Sequence, residues 1–166
     1  MTTVVLDASV QMGWLVADEP WHAAALAVAT EIASGRLEAL VAPNLRFEVC
    51  DALVKAARRR RLSWEAVDRH LQQLDLLALE VAPMAFDPRD IVNVCRAYGL
   101  GWGDAHHALL AKRLGRPLLT ADENLVRALR DSDIWVESIL DRPTEDPDRF
   151  ASLPDDGMPR AAGDDD

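Results

Sequence analysis

Residues 4–10 read VVLDASV, and this stretch indicates the kind of fold that the chain adopts. Three apolar residues, two of them β-branched, favour a short buried strand, and Asp7 stands at its end. A helical pattern follows directly. A strand that runs into a helix is typical of α/β folds, in which ligand sites gather at the carboxyl ends of parallel strands. Asp7 could equally be the cap of the first helix, so this residue alone leaves both interpretations open.

The alternation of strands and helices continues along the chain. Short apolar runs predict strands at residues 3–6, 39–42, 79–82, 117–119 and 134–136. Apolar residues at helical spacing predict helices after residue 7, at 20–34, from 45, from 63, and at 87–98, 104–114 and 122–130. Strands this short and apolar are typical of a parallel sheet that helices cover on both faces. We therefore expect a three-layer α/β/α fold with four or five parallel strands.

The 166 residues are enough for one domain followed by a tail of different composition. Residues 1–140 hold nineteen acidic and fifteen basic side chains, so the predicted domain is only mildly acidic. Residues 141–166 hold nine acidic side chains against three arginines and are rich in Pro and Gly. This composition predicts a disordered acidic C-terminal tail.

The hydrophobic pattern, the N-terminus and the cysteines all favour a cytoplasmic location. No apolar run approaches the roughly 20 residues needed to cross a membrane, and the N-terminus lacks the positive charge of a signal peptide. Cys50 and Cys95 stand alone within helical patterns, which suits two reduced thiols that pack as small buried hydrophobic side chains. We expect a cytoplasmic protein with no membrane partner.

Three further acids stand where an α/β fold would bring them close to Asp7. Glu48 falls on the apolar side of its predicted helix, where an unpaired acid is rare. Asp104 follows the small residues Gly101 and Gly103, which suggests that the backbone there approaches another group. Asp122 follows the fourth strand.

Each of these acids also has a purely structural explanation. Glu48 could be a boundary residue that Arg46 or another cation neutralises, and Asp104 could cap its helix. Asp122 could belong to a capping box that begins at Thr120. None of the signals decides the matter alone, but local capping does not require all of them together.

A cluster of these four acids would need a cation at its centre. Buried carboxylates repel one another and are costly to desolvate. Oxygen ligands suit Mg²⁺ or Mn²⁺, and the usual chemistry of such an ion is phosphoryl transfer or hydrolysis. The sequence therefore predicts a site for Mg²⁺ (or Mn²⁺).

Four segments, VVLDASV, PNLRFEVCDAL, GWGDAHHALLA and PLLTADENL, resemble in order and spacing those of the PIN-domain nucleases, most closely the VapC-type ribonuclease toxins of type II toxin–antitoxin systems. The resemblance covers residues 1 to about 140. It implies a PIN-like fold, Mg²⁺- or Mn²⁺-dependent cleavage of RNA, a homodimer, and inhibition by a cognate antitoxin. It places the family's catalytic acids at Asp7, Glu48, Asp104 and Asp122.

The resemblance also suggests a division of labour among these acids. Asp7, Asp104 and Asp122 would bind the metal ion. Glu48, which we expect to be the most buried of the four, would orient or deprotonate the attacking water. Weaker candidates for substrate contacts are Ser9, Thr120, Trp102 and Arg46.

Two departures from the family pattern leave a second interpretation open. Gly101 stands where Ser or Thr is common, and Asp51, which we expect to be solvated, stands where Asn is frequent. The alternative is a non-catalytic PIN-like module that binds RNA or protein. A phosphoryl-transfer domain of the haloacid-dehalogenase kind is disfavoured, because Ser9 stands where a second Asp is needed.

Basic and histidine residues give weaker signals. Lys55 and Arg58–Arg61 could form a solvated helix end or contact RNA phosphates or acidic antitoxin residues, although consecutive residues cannot all face one surface. His106 and His107 face different sides of a helix and have no partner at zinc spacing, so a zinc site is not predicted.

Overall fold

A computed structural model describes residues 2–76 and 79–142, in which five parallel strands form the central sheet. The strands are β1 (Thr2–Leu6), β2 (Leu37–Val41), β3 (Glu80–Val81), β4 (Leu118–Thr120) and β5 (Val136–Ser138). The helices are α1 (Ala8–Leu15), α2 (His22–Ala33), α3 (Leu45–Arg58), α4 (Trp64–Leu76), α5 (Pro88–Tyr98), α6 (Trp102–Leu114) and α7 (Glu123–Leu129). A short 3-10 helix, Ile139–Asp141, follows β5. The predicted α/β class and strand number are confirmed.

The order of strands in the sheet is β3-β2-β1-β4-β5, and all four pairings are parallel. The chain builds outward from β1 to β3 and then returns to pair β4 with the other side of β1. The strand order thus reverses between β1 and β4. In open parallel sheets the ligand crevice lies at the carboxyl ends of the strands that flank such a reversal. Asp7 directly follows β1, and Asp122 follows β4 after one intervening residue, Ala121.

Helices cover both faces of the sheet because its central strands, β1 and β4, are apolar on both sides. Val4 and Leu6 of β1 belong to one core cluster, together with residues of α1 to α4. Val5, between them, belongs to the other cluster, together with residues of α5 to α7. All three side chains are at most 1% exposed. β1 is therefore the buried centre of a three-layer structure, as the short apolar strands predicted.

Glycines end two of the helices that cover the second face of the sheet. Gly99 closes α5 and Gly115 closes α6, with φ of 67° and 60°. These left-handed conformations favour glycine, which has no Cβ to clash with the backbone. Both helix ends lie where the sequence predicted them.

The end of the described chain is attached to the body. Arg142 forms ion pairs with Glu31 at 2.8 Å and with Glu137 at 3.2 Å. The predicted tail begins at Asp141, and residues 143–166 of that tail lie outside the described residues. The domain boundary at residue 140 stays a prediction.

Cys50 and Cys95 are free thiols, as predicted, but both are half-buried and not fully buried as expected. Within the described ranges, no helix is both long enough and apolar enough to cross a membrane.

Candidate metal centre

Asp7 is the most deeply buried acid of the candidate centre. It is the N-cap of α1, with its Oδ2 atom accepting hydrogen bonds from the Ser9 amide, from Ser9 Oγ, and from Thr120 Oγ1 at 2.8 Å. The residue is 4% exposed. All these bonds reach one oxygen, so Oδ1 is left to face the crevice. Capping and ligand binding are therefore compatible at this residue.

Asp122 repeats this arrangement after β4. It is the N-cap of α7, and its Oδ1 atom accepts hydrogen bonds from the amides of Asn124 at 2.7 Å and Leu125 at 3.4 Å. The expected capping box beginning at Thr120 is wrong, because Thr120 still belongs to β4 and the helix begins only at Glu123. The Thr120 hydroxyl instead accepts a hydrogen bond from the Asp122 amide at 3.0 Å.

Asp104 lies in the first turn of α6 and faces the other acids. The N-cap of this helix is Gly101, so the alternative in which Asp104 caps the helix is wrong. Burial, followed by the negative charges of Asp7, Asp122 and Glu48, raises the pKa of Asp104 from 3.8 to about 6. The structure thus brings the four predicted acids into one electrostatic cluster.

Glu48 lies in the first turn of α3, at the open end of the crevice. Its side chain is 24% exposed against 6% for Asp7, so the expectation that Glu48 is the most buried acid is wrong. The reason is its position at the start of the helix, where the crevice opens. Arg46 does not neutralise it, because Arg46 pairs with Asp75 on the exposed surface.

Two side chains hold the Glu48 carboxylate instead. Oε1 accepts a hydrogen bond from Asn44 Nδ2, and Oε2 accepts one from His107 Nε2 at 2.8 Å. The backbone of Gly103 also packs against this carboxylate. A Cβ atom built on Gly103 would lie 2.7 Å from Glu48 Cδ and closer still to Oε1, so a larger residue there would force the Glu48 carboxylate to move. This contact explains Gly103, whereas a Cβ atom on Gly101 would make only an ordinary contact with Asp104.

His107 is the residue of the centre that sequence reasoning missed. Its side chain is fully buried, and Nε2 lies 3.9 Å from Asp7 Oδ1 as well as near Glu48. Burial lowers the pKa of His107, but the hydrogen bond to Glu48 and the charges of Asp7, Glu48 and Asp104 outweigh it and raise the pKa overall. A cation bound at the centre would offset the same negative charges and would therefore reduce the rise in the pKa of His107. One available signal was its spacing, one helical turn after Asp104 on the apolar side.

The free oxygen atoms of the cluster fit a hard divalent cation. Asp7 Oδ1, Asp122 Oδ2 and both carboxylate oxygens of Asp104 accept no hydrogen bond from residues 2–76 or 79–142. Carboxylate oxygens are the ligands that Mg²⁺ and Mn²⁺ prefer. Ligand atoms of Asp7, Glu48 and His107 also lie within 4.8 Å of one another. The cluster therefore has both the charge and the unused oxygen atoms that such an ion needs.

The weaker candidates for substrate contacts are distributed unevenly. Ser9 and Thr120 lie inside the centre, bonded to Asp7. Trp102 is 50% exposed near the start of α6, with its ring 5.0 Å from that of His106. Arg46 is directed to Asp75. Their role in substrate binding stays a prediction.

A cavity of about 270 Å³ lies beside Ser9, between α1 and α3. Its lining includes Lys55, Arg59 and Arg61 from the basic cluster, with Met12, Trp21, Ala52 and Ala56 among its apolar members. Lys55 pairs with the exposed Asp51, and Arg61 pairs with Asp18 and Glu19. Part of the basic cluster therefore borders the centre.

Comparison with known proteins gives one family. The model of the PIN domain family matches residues 4–130, a range that contains all four acids and His107. Exonuclease VapC9 of Pyrobaculum aerophilum is 33% identical over 98 residues, which are 58% of this chain and 70% of that protein.

Two solved structures share the fold. The crystal structure of PAE2754 from Pyrobaculum aerophilum matches with a TM-score of 0.59 and 22% identity, over 84% of this chain and 85% of that one. The crystal structure of VapBC2 from Rickettsia felis bound to a DNA fragment from their promoter matches with a TM-score of 0.56 and 12% identity, over 82% of this chain and 98% of that one. At such identities the two structures support the fold alone.

Proposed function

Because this chain belongs to the PIN domain family, we propose that it is a metal-dependent ribonuclease that hydrolyses RNA phosphodiester bonds and acts as the toxin of a toxin–antitoxin pair. The convergence of Asp7, Glu48, Asp104 and Asp122 carries the proposal. A non-catalytic module would have no need to keep four acids together at the cost of their mutual repulsion. The similarity to a protein named as an exonuclease supports the nuclease assignment.

The free oxygen atoms support two different roles among the four acids. Asp7, Asp104 and Asp122 would hold Mg²⁺ or Mn²⁺, which would lower the pKa of a bound water and offset negative charge on the scissile phosphate. Glu48 remains accessible to solvent, and each of its oxygens has a lone pair beyond the one bonded to Asn44 or His107. It is therefore placed to orient the attacking water or to accept its proton.

The surroundings of the centre support a polyanionic substrate despite the mild acidity of the domain. The cation held by the acids would offset much of their negative charge and present a positive centre to the phosphate. Lys55, Arg59 and Arg61, which line the cavity beside Ser9, could contact phosphates on one side of the scissile bond. RNA would then cross the carboxyl end of the sheet between α3 and α6.

The test is RNA cleavage by the purified full chain with Mg²⁺ or Mn²⁺ and with a chelator. We expect cleavage only with the metal, and we expect Asp104→Asn to abolish it while RNA binding persists. Sequencing of the 5′ ends of the products would identify the cleavage sites. Metal-independent RNA binding without cleavage would support the non-catalytic module instead.

The proposal also includes two binding partners, a second copy of this chain and a cognate antitoxin, and a cytoplasmic location. Phe47 is 77% exposed and Trp64 58% exposed, so apolar surface is available for a partner. A basic antitoxin side chain could enter the acidic cluster and compete with the metal ion. Raising Mn²⁺ should then weaken inhibition, and inhibition that no metal concentration affects would contradict this mechanism.

A further inference from the structure

We propose that His107 is a positioning residue, which holds the Glu48 carboxylate in place by hydrogen bonding and does not itself bind the metal ion. The inference rests on the proposed nuclease function, because it gives His107 a role in that reaction. It concerns a residue outside the four acids that the sequence pattern identifies.

The hydrogen bond between His107 and Glu48 connects the two helical layers at the carboxyl end of the sheet. Glu48 belongs to α3, which packs on one face, and His107 to α6, which packs on the other. The two residues are 59 positions apart in the chain, and their atoms Oε2 and Nε2 lie 2.8 Å apart. A fully buried polar side chain is retained at such a place only when its hydrogen bond is made. The contact therefore fixes α3 relative to α6 at the centre.

The geometry favours a donor role for His107 over a ligand role. Both atoms near Nε2 are carboxylate oxygens, which can only accept, so Nε2 carries the hydrogen. A metal ligand must present a lone pair, and the Nε2 lone pair is not available in this tautomer. The other ring nitrogen, Nδ1, is buried and has no hydrogen-bond partner in the described part of the chain.

Glu48 is held from three directions, and His107 provides one of them. Asn44 bonds Oε1, His107 bonds Oε2, and the Gly103 backbone closes the remaining side. Without His107, Oε2 would be free to turn toward the solvent that already reaches a quarter of this side chain. Residues that orient a group in this way typically change activity about 10- to 100-fold when they are replaced.

The first experiment compares His107→Gln, His107→Asn and His107→Leu in steady-state RNA cleavage. The amide nitrogen of Gln can occupy the place of ring Nε2, whereas that of Asn falls near Nδ1 and cannot reach Glu48. We expect Asn and Leu to lower kcat about 10- to 100-fold with KM changed less than about threefold, and Gln to keep kcat within about threefold of the wild type. His70→Gln, on α4, is the matched control and should be unchanged. A Gln variant as impaired as Leu would overturn the proposal.

Pulsed EPR of bound Mn²⁺ separates the donor role from the ligand role. We expect no histidine nitrogen coupling to Mn²⁺ in the wild type, and a Kd for Mn²⁺ within about threefold in all three variants. A nitrogen coupling that His107→Gln removes would show that His107 is a ligand, and the proposal would be wrong.

A last measurement does not depend on nuclease activity. In metal-free protein with nitrogen-labelled histidines, His107 should show a slowly exchanging Nε2–H signal that Glu48→Gln shifts. If this signal is present but the wild type does not cleave RNA, the nuclease function fails while the hydrogen bond stands. If the signal is absent or unaffected by Glu48→Gln, the positioning role itself fails.

Discussion

Replacing Asp104 by Asn should stabilise the metal-free protein, although it removes a residue of the active centre. In the folded chain, burial and the three neighbouring acids raise the pKa of Asp104 from 3.8 to about 6. This change corresponds to about 3 kcal/mol between its charged and neutral forms. Because the carboxyl is only half-buried, screening by water reduces the expected gain to about 1–2 kcal/mol.

The sign of this effect depends on pH in a definite way. The folded protein binds the Asp104 proton more tightly than the unfolded chain does, so the wild type loses stability as pH rises from about 4 to 6. Asn cannot ionise and escapes this loss. The variant and the wild type should therefore be nearly equal at pH 4, diverge up to about pH 6, and keep a constant difference above it.

Urea unfolding with a chelator present measures the difference. With an m-value of ~2 kcal/mol/M, a gain of 1–2 kcal/mol moves the midpoint upward by about 0.5–1 M at pH 7.5. Asp68→Asn, on the exposed side of α4, is the control and should show no such difference. Saturating Mn²⁺ should reverse the order, because the wild type binds the ion more tightly and therefore gains more binding energy. A variant that is less stable at pH 7.5 without metal, or a difference that does not change with pH, would refute the repulsion argument.

The remaining predictions concern the other parts of the centre and the chain end. Asp7→Asn should abolish RNA cleavage and weaken Mn²⁺ binding at least tenfold. Glu48→Gln should also abolish cleavage, but with a smaller loss of Mn²⁺ affinity. Calorimetric titration with Mn²⁺ measures both affinities. Gly103→Ala should lower kcat at least tenfold because its Cβ would displace Glu48, while Gly101→Ala, whose Cβ would lie 3.6 Å from the nearest atom, should have little effect. A chain ending at Arg142 should cleave RNA within about a factor of ten of full length, equivalent to about 1.4 kcal/mol in the barrier; a larger loss would mean that residues 143–166 contribute to the reaction.

The centre of the sheet could be predicted from the sequence because β1 and β4 are recognisable on their own, whereas β5 (Val136–Ser138) overlaps its predicted range of 134–136 at only one residue. Residues 4–6 and 118–119 are apolar on both faces, and only a strand with helices on both sides buries such a run. The carboxyl-end positions of Asp7 and Asp122 then followed from the parallel topology. Local patterns therefore identified the crevice and two of its acids.

The contacts around Glu48 could not be predicted in the same way. Its bond to His107 depends on how α3 and α6 meet across the end of the sheet, and no local period in the sequence records that distance. The expectation for Glu48 was wrong because this residue lies at the start of α3, where its side chain stays 24% exposed. Sequence reasoning also compared His107 only with zinc ligands, whereas its structural role is that of a donor to a carboxylate.

The capping and metal-binding interpretations of Asp7 and Asp122 are not alternatives, because a carboxylate has two oxygens. In each residue one oxygen accepts the amide bonds at the start of a helix, and this fixes the direction of the other. The capping bonds thereby orient a ligand atom at no further loss of side-chain freedom. Asn caps a helix about as well as Asp but lacks the second anionic oxygen. Substitution by Asn therefore separates the charge at the centre from the stability of the helix, whereas substitution by Ala would remove both.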